Sequence, residues 1–415
     1  MGDDDTQGPV VIVGAGQAGA WVATTLRERA PDRPVTLIGD EAHPPYERPP
    51  LSKAVLSGES PPESTWMRDP SAYAGTGITL LTGRRVTGID RQGRTVALDD
   101  GTRLPWGRLV LATGARPRRL DIPGADHPRL RMLRTIDDAA ALAPLLRPGA
   151  RLVAIGAGFI GLEVAAVAAT AGCAVTVLER APTALARVMA PKVAARIVAL
   201  HADRGVTIRC GAEVAAIEDA DGAAAVVLAD GTRLVADAVL AGIGAVPNDD
   251  LARAAGLDCD DGIVTDAHGR TSDPAILAAG DATRHFNPLL GRHLRLESWQ
   301  NAQNQGIAVG RTLAGEDAPH AEIPWFWSDQ FDLNIQMIGV PATWDEVIWR
   351  GEAGATKGTA IYLAQGRVVA GNTLNNGRDI RFLRELVRRG VPVSPAQAAD
   401  PAVRLKDLAT AQADT

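Results

Sequence analysis

Cysteine is scarce in this chain. The 415 residues hold three, Cys173, Cys210 and Cys259, far apart and without a C-x-x-C or C-x4-C pair. No redox disulfide is legible, and no metal site is read. Cys173, between Gly172 and an apolar run, is expected as a small buried residue. Long apolar runs are also missing: none reaches the roughly 18 residues that span a bilayer. Residues 1–8 are acidic and polar, without the basic and apolar regions of a signal peptide, so a cytoplasmic location and a disordered tail are expected. Basic charge is not in excess. Lys and Arg number 43 against 49 Asp and Glu, net −6, which argues against nucleic acid as the main partner.

The chain is long enough for two or three domains, and its 46% apolar and 22% charged content is that of a soluble globular protein. Its strongest feature is a duplication. Gly14-Ala15-Gly16-Gln17-Ala18-Gly19 follows the strand-like run 10–13, and Gly156-Ala157-Gly158-Phe159-Ile160-Gly161 follows the run 152–155. Each motif opens an Ala-rich helical pattern, residues 18–28 and 160–171, and a second β-run follows at 35–38 and 174–178. Downstream, LDDGTRLPWGRLVLATGARP (98–117) matches LADGTRLVADAVLAGIGAVP (228–247). In each copy Asp-Gly marks a tight hairpin, and an apolar strand then ends in a small-residue turn, Ala112-Thr113-Gly114 or Gly242-Ile243-Gly244. The first copy is longer by 12 residues.

A G-x-G-x-x-G loop between strand and helix supplies a tight turn, close backbone approach to a pyrophosphate, and helix-terminal amides facing the anion. Two copies imply two dinucleotides held by one redox enzyme. Glu179 closes the second copy's β-run. Its carboxylate accepts hydrogen bonds from an adenosine ribose and repels a 2′-phosphate, favouring NADH over NADPH, a preference that the neighbouring Arg180 weakens. In the first copy Gly39 takes that place, and Asp40 is the nearest acid.

Residues 262–282 do not belong to the second copy. Runs at 263–265 and 276–279 end in Ala279-Gly280-Asp281, a helix over 301–314 follows, and the segment is expected to return to the first domain. From about residue 322 the composition changes: Trp325, Phe326, Trp327, Phe331, Trp344 and Trp349 fall within 25 residues. Alternating runs at 346–350 and 359–363, with helices near 380–389 and the C-terminus, suggest a small α+β domain. The expected class is α/β: a discontinuous Rossmann-like domain (8–117 and 246–321), a second one (118–245) and a C-terminal α+β domain (322–415).

The first copy also carries Tyr46-Glu47-Arg48-Pro49-Pro50-Leu51-Ser52-Lys53. Two prolines stiffen this loop, and Ser52 is placed to cap a helix continuing from Lys53. By physics alone it reads as a surface turn or as a rigid holder for Arg48 and Lys53. Near the C-terminus Arg378, Arg381, Arg384, Arg388 and Arg389 recur near helical spacing, with Ile380, Leu383 and Val387 expected toward the core. That face is either a solvated surface or one that steers an acidic partner.

Together the Pro-Tyr-x-Arg-Pro-Pro-Leu-Ser-Lys loop, both glycine motifs, Ala112-Thr113-Gly114, Ala279-Gly280-Asp281 and Trp325-Phe326-Trp327-Ser328-Asp329-Gln330 resemble one family. It is the FAD- and NADH-dependent ferredoxin reductases of bacterial oxygenase systems, above all the reductases of biphenyl and other aromatic-ring dioxygenases, with putidaredoxin reductase somewhat further away. The likeness runs from about Pro9 to the C-terminal helix and implies a glutathione-reductase-like fold with FAD in the first domain and NADH in the second.

By position, the resemblance implies that Gly14, Gly16, Ala18 and Gly19 approach the FAD pyrophosphate and that Asp40 binds its ribose. Arg48 and Lys53 reach the FAD, with Lys53 near flavin N5 and paired with Glu163. Val86, Ala112, Thr113, Gly114 and Arg134 line the cofactor. Gly280 and Asp281 take the ribityl-phosphate portion, and Trp299 and Trp327 lie near the ring. Gly156, Gly158, Ile160, Gly161, Glu179 and Gly244 serve the second nucleotide. Glutathione and lipoamide reductases relay electrons through a disulfide. Without a cysteine pair, the implied acceptor is external, a [2Fe-2S] ferredoxin. A rubredoxin, the ferredoxin of a haem monooxygenase, and a redox-sensing role like that of apoptosis-inducing factor remain open alternatives.

Overall fold

The computed structural model describes residues 8–352 and 354–410. The expected tail at the N-terminus falls on residues 1–7, outside the described residues. The chain divides into two compact units. One comprises Met1–Arg48, Glu63–Arg116 and Ala245–Glu322; the other comprises Pro49–Pro62, Pro117–Gly244 and Ile323–Thr415.

The first unit is built on five parallel strands in the order Ile276–Ala278, Arg108–Leu111, Val10–Val13, Val35–Ile38, Ile78–Leu81. The strands read as continuous apolar runs because the sheet is covered on both faces. Val10, Ile12 and Val110 pack with Val22 and Leu26 of helix Gln17–Arg29. Val11, Leu109 and Leu111 pack on the other side, with Val96, Leu98 and Ile263. An antiparallel sheet of Val86–Asp90, Thr95–Leu98 and Arg103–Pro105 carries the Asp-Gly hairpin.

The second unit repeats the plan with strands Thr207–Cys210, Ala174–Glu179, Arg151–Ile155, Ala238–Ala241 and Leu130–Arg131, again all parallel. Its hairpin sheet is Val214–Ala220, Ala223–Leu228 and Arg233–Ala236. The two copies recruit their outer strand differently. Ile276–Ala278 comes from beyond the second copy, whereas Leu130–Arg131 comes from before its own glycine motif. The extra 12 residues of the first copy lie between its second and third strands: Ile38 to Leu81 spans 43 positions, and the matching Leu178 to Arg209 spans 31. The Pro-Pro-Leu-Ser segment falls in this excess, as a 3-10 turn over Pro49–Ser52.

One segment is grouped differently from the sequence expectation. Pro49–Pro62 belongs to the second unit, because Leu56 is buried in a core that also holds Leu162 and Leu333. The C-terminal region keeps the expected bounds and packs within the second unit, where Ile335, Tyr362 and Leu374 share that core with Leu152 and Val177. Its fold is a five-stranded antiparallel sheet in the order Trp325–Gln330, Leu333–Ile338, Arg367–Leu374, Gly358–Ala364, Glu346–Arg350. Helix Ile380–Arg389 follows it and ends on left-handed Gly390. Among the described residues, no helix is long and apolar enough to cross a membrane.

Candidate functional site

Each glycine loop sorts its glycines into separate roles. Gly14 and Gly156 hold φ of +109° and +106°, and a Cβ there would meet the carbonyl oxygen of Ala112 at 2.1 Å or of Gly242 at 2.4 Å. A Cβ on Gly19 or Gly161 would meet the carbonyl oxygen of Gly14 at 2.0 Å or of Gly156 at 2.1 Å. These positions make the turn and the helix–strand contact. Gly16 and Gly158 differ: a Cβ on Gly16 would meet nothing within 4 Å, and one on Gly158 only the Gly242 carbonyl at 4.0 Å. They precede helices Gln17–Arg29 and Phe159–Thr170 as N-caps without a side-chain cap. Open space beside a bare backbone at a helix N-terminus fits a pyrophosphate. Ala18 lies in the first turn of its helix and is buried; Ile160, at the matching place, is among the exposed apolar residues.

The loop facing Gly14 is Ala112-Thr113-Gly114. Asn248 ties it down, its side-chain amide donating 2.8 Å to the Thr113 carbonyl, while the Thr113 hydroxyl donates 2.6 Å to the Asn248 carbonyl. Gly114 and Gly244 both have positive φ. Gly280, φ +81°, lies against Ala18, where a Cβ would come within 2.8 Å. The Gly280 N–H donates 2.7 Å to Gln305 Oε1, which also accepts from Thr283. Asp281 follows in the short turn Gly280–Ala282. Val86 is buried at the start of its strand.

In the same unit, Arg48 donates 2.7 Å to the Tyr46 hydroxyl and 2.7 Å to Glu41, and Tyr46 donates 2.5 Å to the other Glu41 oxygen. Burial pulls the Arg48 guanidinium down. Tyr46, Glu41 and Asp281 more than offset this, and the net shift is upward. Trp299 begins helix Trp299–Leu313, and its indole N–H donates 3.2 Å to Glu47. Asp40 is exposed and pairs with Arg85 at 3.4 Å.

The second unit gathers the other residues. The Glu163 side chain is 3% exposed and meets Lys53 Nζ at 2.8 Å. The same Oε2 accepts the Ser52 hydroxyl at 2.5 Å, and Oε1 accepts the Ser328 hydroxyl at 2.6 Å. Ser52 caps no helix, because only turns follow it, and its hydroxyl donates to Glu163. Trp327 stacks on Trp325 at 5.1 Å and 18°, and Phe326, on the opposite face of the strand, packs on Phe159 at 4.7 Å. Arg134 precedes the capping residue Thr135, and its backbone N–H donates to Asp138.

Glu179 spends both oxygens on backbone amides, accepting 2.8 Å bonds from Ala157 of the glycine loop and from Ala181. Each oxygen keeps a lone pair for a ligand hydroxyl. The first copy cannot repeat this. Gly39 stands at the matching register, and a Cβ there would fall 2.7 Å from that of Ala15.

Two further expectations need correction. Cys173 is only partly buried, its thiol donating to the Arg147 carbonyl and pushed up by burial. On helix Ile380–Arg389 the core face is Ile380, Leu383 and Leu386, while Val387 is partly exposed. Of its arginines, Arg388 pairs with Glu385 at 2.6 Å, Arg389 donates to the Ala409 carbonyl, and Arg381 lies over Phe382 at 4.4 Å.

Comparison with known proteins agrees with this fold. A model described as pyridine nucleotide-disulphide oxidoreductase matches residues 8–306, and one described as reductase C-terminal matches 325–409. The chain belongs to the pyridine nucleotide-disulphide oxidoreductase family. This oxidoreductase is 45% identical over 399 residues to the anthranilate 1,2-dioxygenase system ferredoxin–NAD(+) reductase component of Burkholderia cepacia, covering 96% of the chain and 98% of that protein. It is 42% identical over 408 residues to putidaredoxin reductase of Pseudomonas putida, covering 97% of each. The crystal structure of the covalent putidaredoxin reductase–putidaredoxin complex superposes with a TM-score of 0.93, covering 96% of this chain and 97% of that one. Putidaredoxin reductase is not further away than the dioxygenase reductases as a group, since those of the p-cumate and chlorobenzene dioxygenase systems are each 38% identical to this chain. The oxidoreductase keeps no disulfide of the family's name, its three cysteines being free.

Proposed function

We propose that this protein is an NADH-dependent ferredoxin reductase that holds FAD at the first glycine loop and NADH at the second, and delivers electrons singly to a [2Fe-2S] ferredoxin of an aromatic-ring dioxygenase or related oxygenase. The observation that carries the reading is the duplicated loop with an open glycine, Gly16 and Gly158, in a chain whose relatives are ferredoxin reductases over their full length. A flavin held there would supply a two-electron hydride acceptor that can also give up single electrons.

The chain's own residues bind, orient and neutralise. Gly14, Gly16, Ala18, Gly19 and the 112–114 turn would hold the FAD phosphates, with Asp40 for its ribose and Arg48, Val86, Arg134, Gly280, Asp281, Trp299 and Trp327 for the rest. Gly156, Gly158, Ile160, Gly161 and Gly244 would hold NADH, with Glu179 for its ribose. Lys53 supplies a cation that favours negative charge on the reduced ring, and Glu163 keeps that cation fixed. The basic side of helix Ile380–Arg389 steers the acidic ferredoxin. Alanine at Arg381, Arg384 and Arg388 is expected to slow ferredoxin reduction and to spare reduction of a small dye.

The test is the purified protein itself. It is expected to be yellow, to release FAD on acid treatment, and to be bleached by anaerobic NADH faster than by NADPH. A colourless protein that takes up no FAD overturns the reading.

A further inference from the structure

Glu163 stands at the head of a buried hydrogen-bond chain that runs out through the C-terminal sheet. Strand Trp325–Gln330 alternates, so Phe326, Ser328 and Gln330 share one face. Ser328 and Gln330 are fully buried there. Polar side chains on an inward face need partners, and these have them in sequence. Ser328 donates to Glu163 at 2.6 Å, Gln330 Nε2 donates to the Ser328 hydroxyl at 3.1 Å, and His201 Nε2 lies 2.9 Å from Gln330 Oε1. His201 is fully buried, edge-on to Phe331 at 5.1 Å.

The chain has one direction. A serine hydroxyl has a single hydrogen, and the amide nitrogen of Gln330 can only donate to it. That hydrogen therefore goes to Glu163. The amide is held this way round because its oxygen accepts from His201, which fixes the imidazole hydrogen on Nε2. Burial pushes the His201 imidazole down, in keeping with one hydrogen on the ring. Every hydrogen in the chain points toward the carboxylate that holds Lys53.

We propose that Ser328 is a positioning residue for the reduction of the flavin, with Gln330 and His201 orienting its hydroxyl: it pins Glu163 Oε1 so that Oε2 remains on Lys53. This rests on the function proposed above. A charged hydrogen bond lost in a buried site changes an equilibrium roughly tenfold or more.

The test compares S328A, S328T, Q330M and E163Q in the full-length protein, with and without bound FAD. The first readout is the acylation rate of Lys53 by an amine-reactive acetate ester, read by peptide mass. S328A is expected to raise it roughly tenfold and Q330M less, S328T to restore the native rate, and S328A to add nothing in an E163Q background. The second is flavin reduction by NADH in stopped flow, which S328A slows with NADH affinity unchanged. Unchanged acylation in S328A, or equal effects of S328A with Glu163 and with Gln in its place, overturns the proposal. A wild-type protein that NADH does not reduce overturns the functional reading instead, and the acylation rates still decide this one.

Discussion

Lys53 and Glu163 meet at 2.8 Å, with the carboxylate buried and the ammonium only partly exposed. Breaking a buried pair from one side leaves an uncompensated charge, which outweighs the loss of the pair itself. Lys53→Met is expected to destabilise the protein by about 3 kcal/mol and to slow flavin reduction by NADH. E163Q costs less, because Gln keeps hydrogen-bonding capacity and the charge left unpaired, the Lys53 ammonium, is partly exposed. Urea unfolding decides this; equal stability of Lys53→Met and wild type contradicts it.

The glycines separate folding from binding. Gly16→Ala puts a methyl into open space, so unfolding midpoints stay near wild type while FAD retention falls. Gly19→Ala drives a Cβ to 2.0 Å from the Gly14 carbonyl oxygen and destabilises the fold itself. Gly158→Ala is expected to raise the KM for NADH with the flavin still bound. Thermal melts and cofactor content, measured together, check all three.

Glu179→Ala removes the acceptor of two backbone amides and the repulsion toward a 2′-phosphate. The ratio of kcat/KM for NADH over NADPH is expected to fall roughly tenfold. An unchanged ratio contradicts the assignment of this residue to the ribose.

His285 and His320 lie edge to face at 5.1 Å, both buried. Burial and then the neighbouring His320 push His285 from 6.5 down to about 3, and burial pushes His320 down to about 4. A depressed folded value means that below pH 6.5 the unfolded chain takes up protons that the folded chain refuses. Stability is therefore present above pH 6.5 and is lost as pH falls toward 4, at up to about 1.4 kcal/mol per pH unit for each imidazole. Urea midpoints from pH 7.5 to 4.5 are expected to show this loss, and His285→Gln to flatten it.

What the sequence discloses follows from range. The glycine loops, hairpins and parallel strands were legible because turn chemistry and apolar runs are local. The pairing of Lys53 with Glu163 joins a loop of one copy to a helix of the other, so it came only from family likeness. Ser52 and Ser328 were missed as partners for the same reason. Ser328 and Gln330 did leave a signal, two polar residues in register with Phe326 on one strand face. Helix phase explains the exchange of Val387 for Leu386, since the burial stripe Ile380, Leu383, Leu386 advances by threes. The spacing of the arginines gave their face but not their local partners, Glu385 and the Ala409 carbonyl.

Electron delivery is the central claim, and single-turnover stopped flow tests it most directly. The FAD-loaded protein, reduced anaerobically by NADH, is mixed with oxidised putidaredoxin as the [2Fe-2S] probe and, separately, with a rubredoxin. The expected result is rapid return of the flavin absorption with two putidaredoxin molecules reduced per flavin, and slower return with rubredoxin. A flavin that stays reduced in the presence of putidaredoxin, or that is reoxidised only by oxygen, contradicts the account.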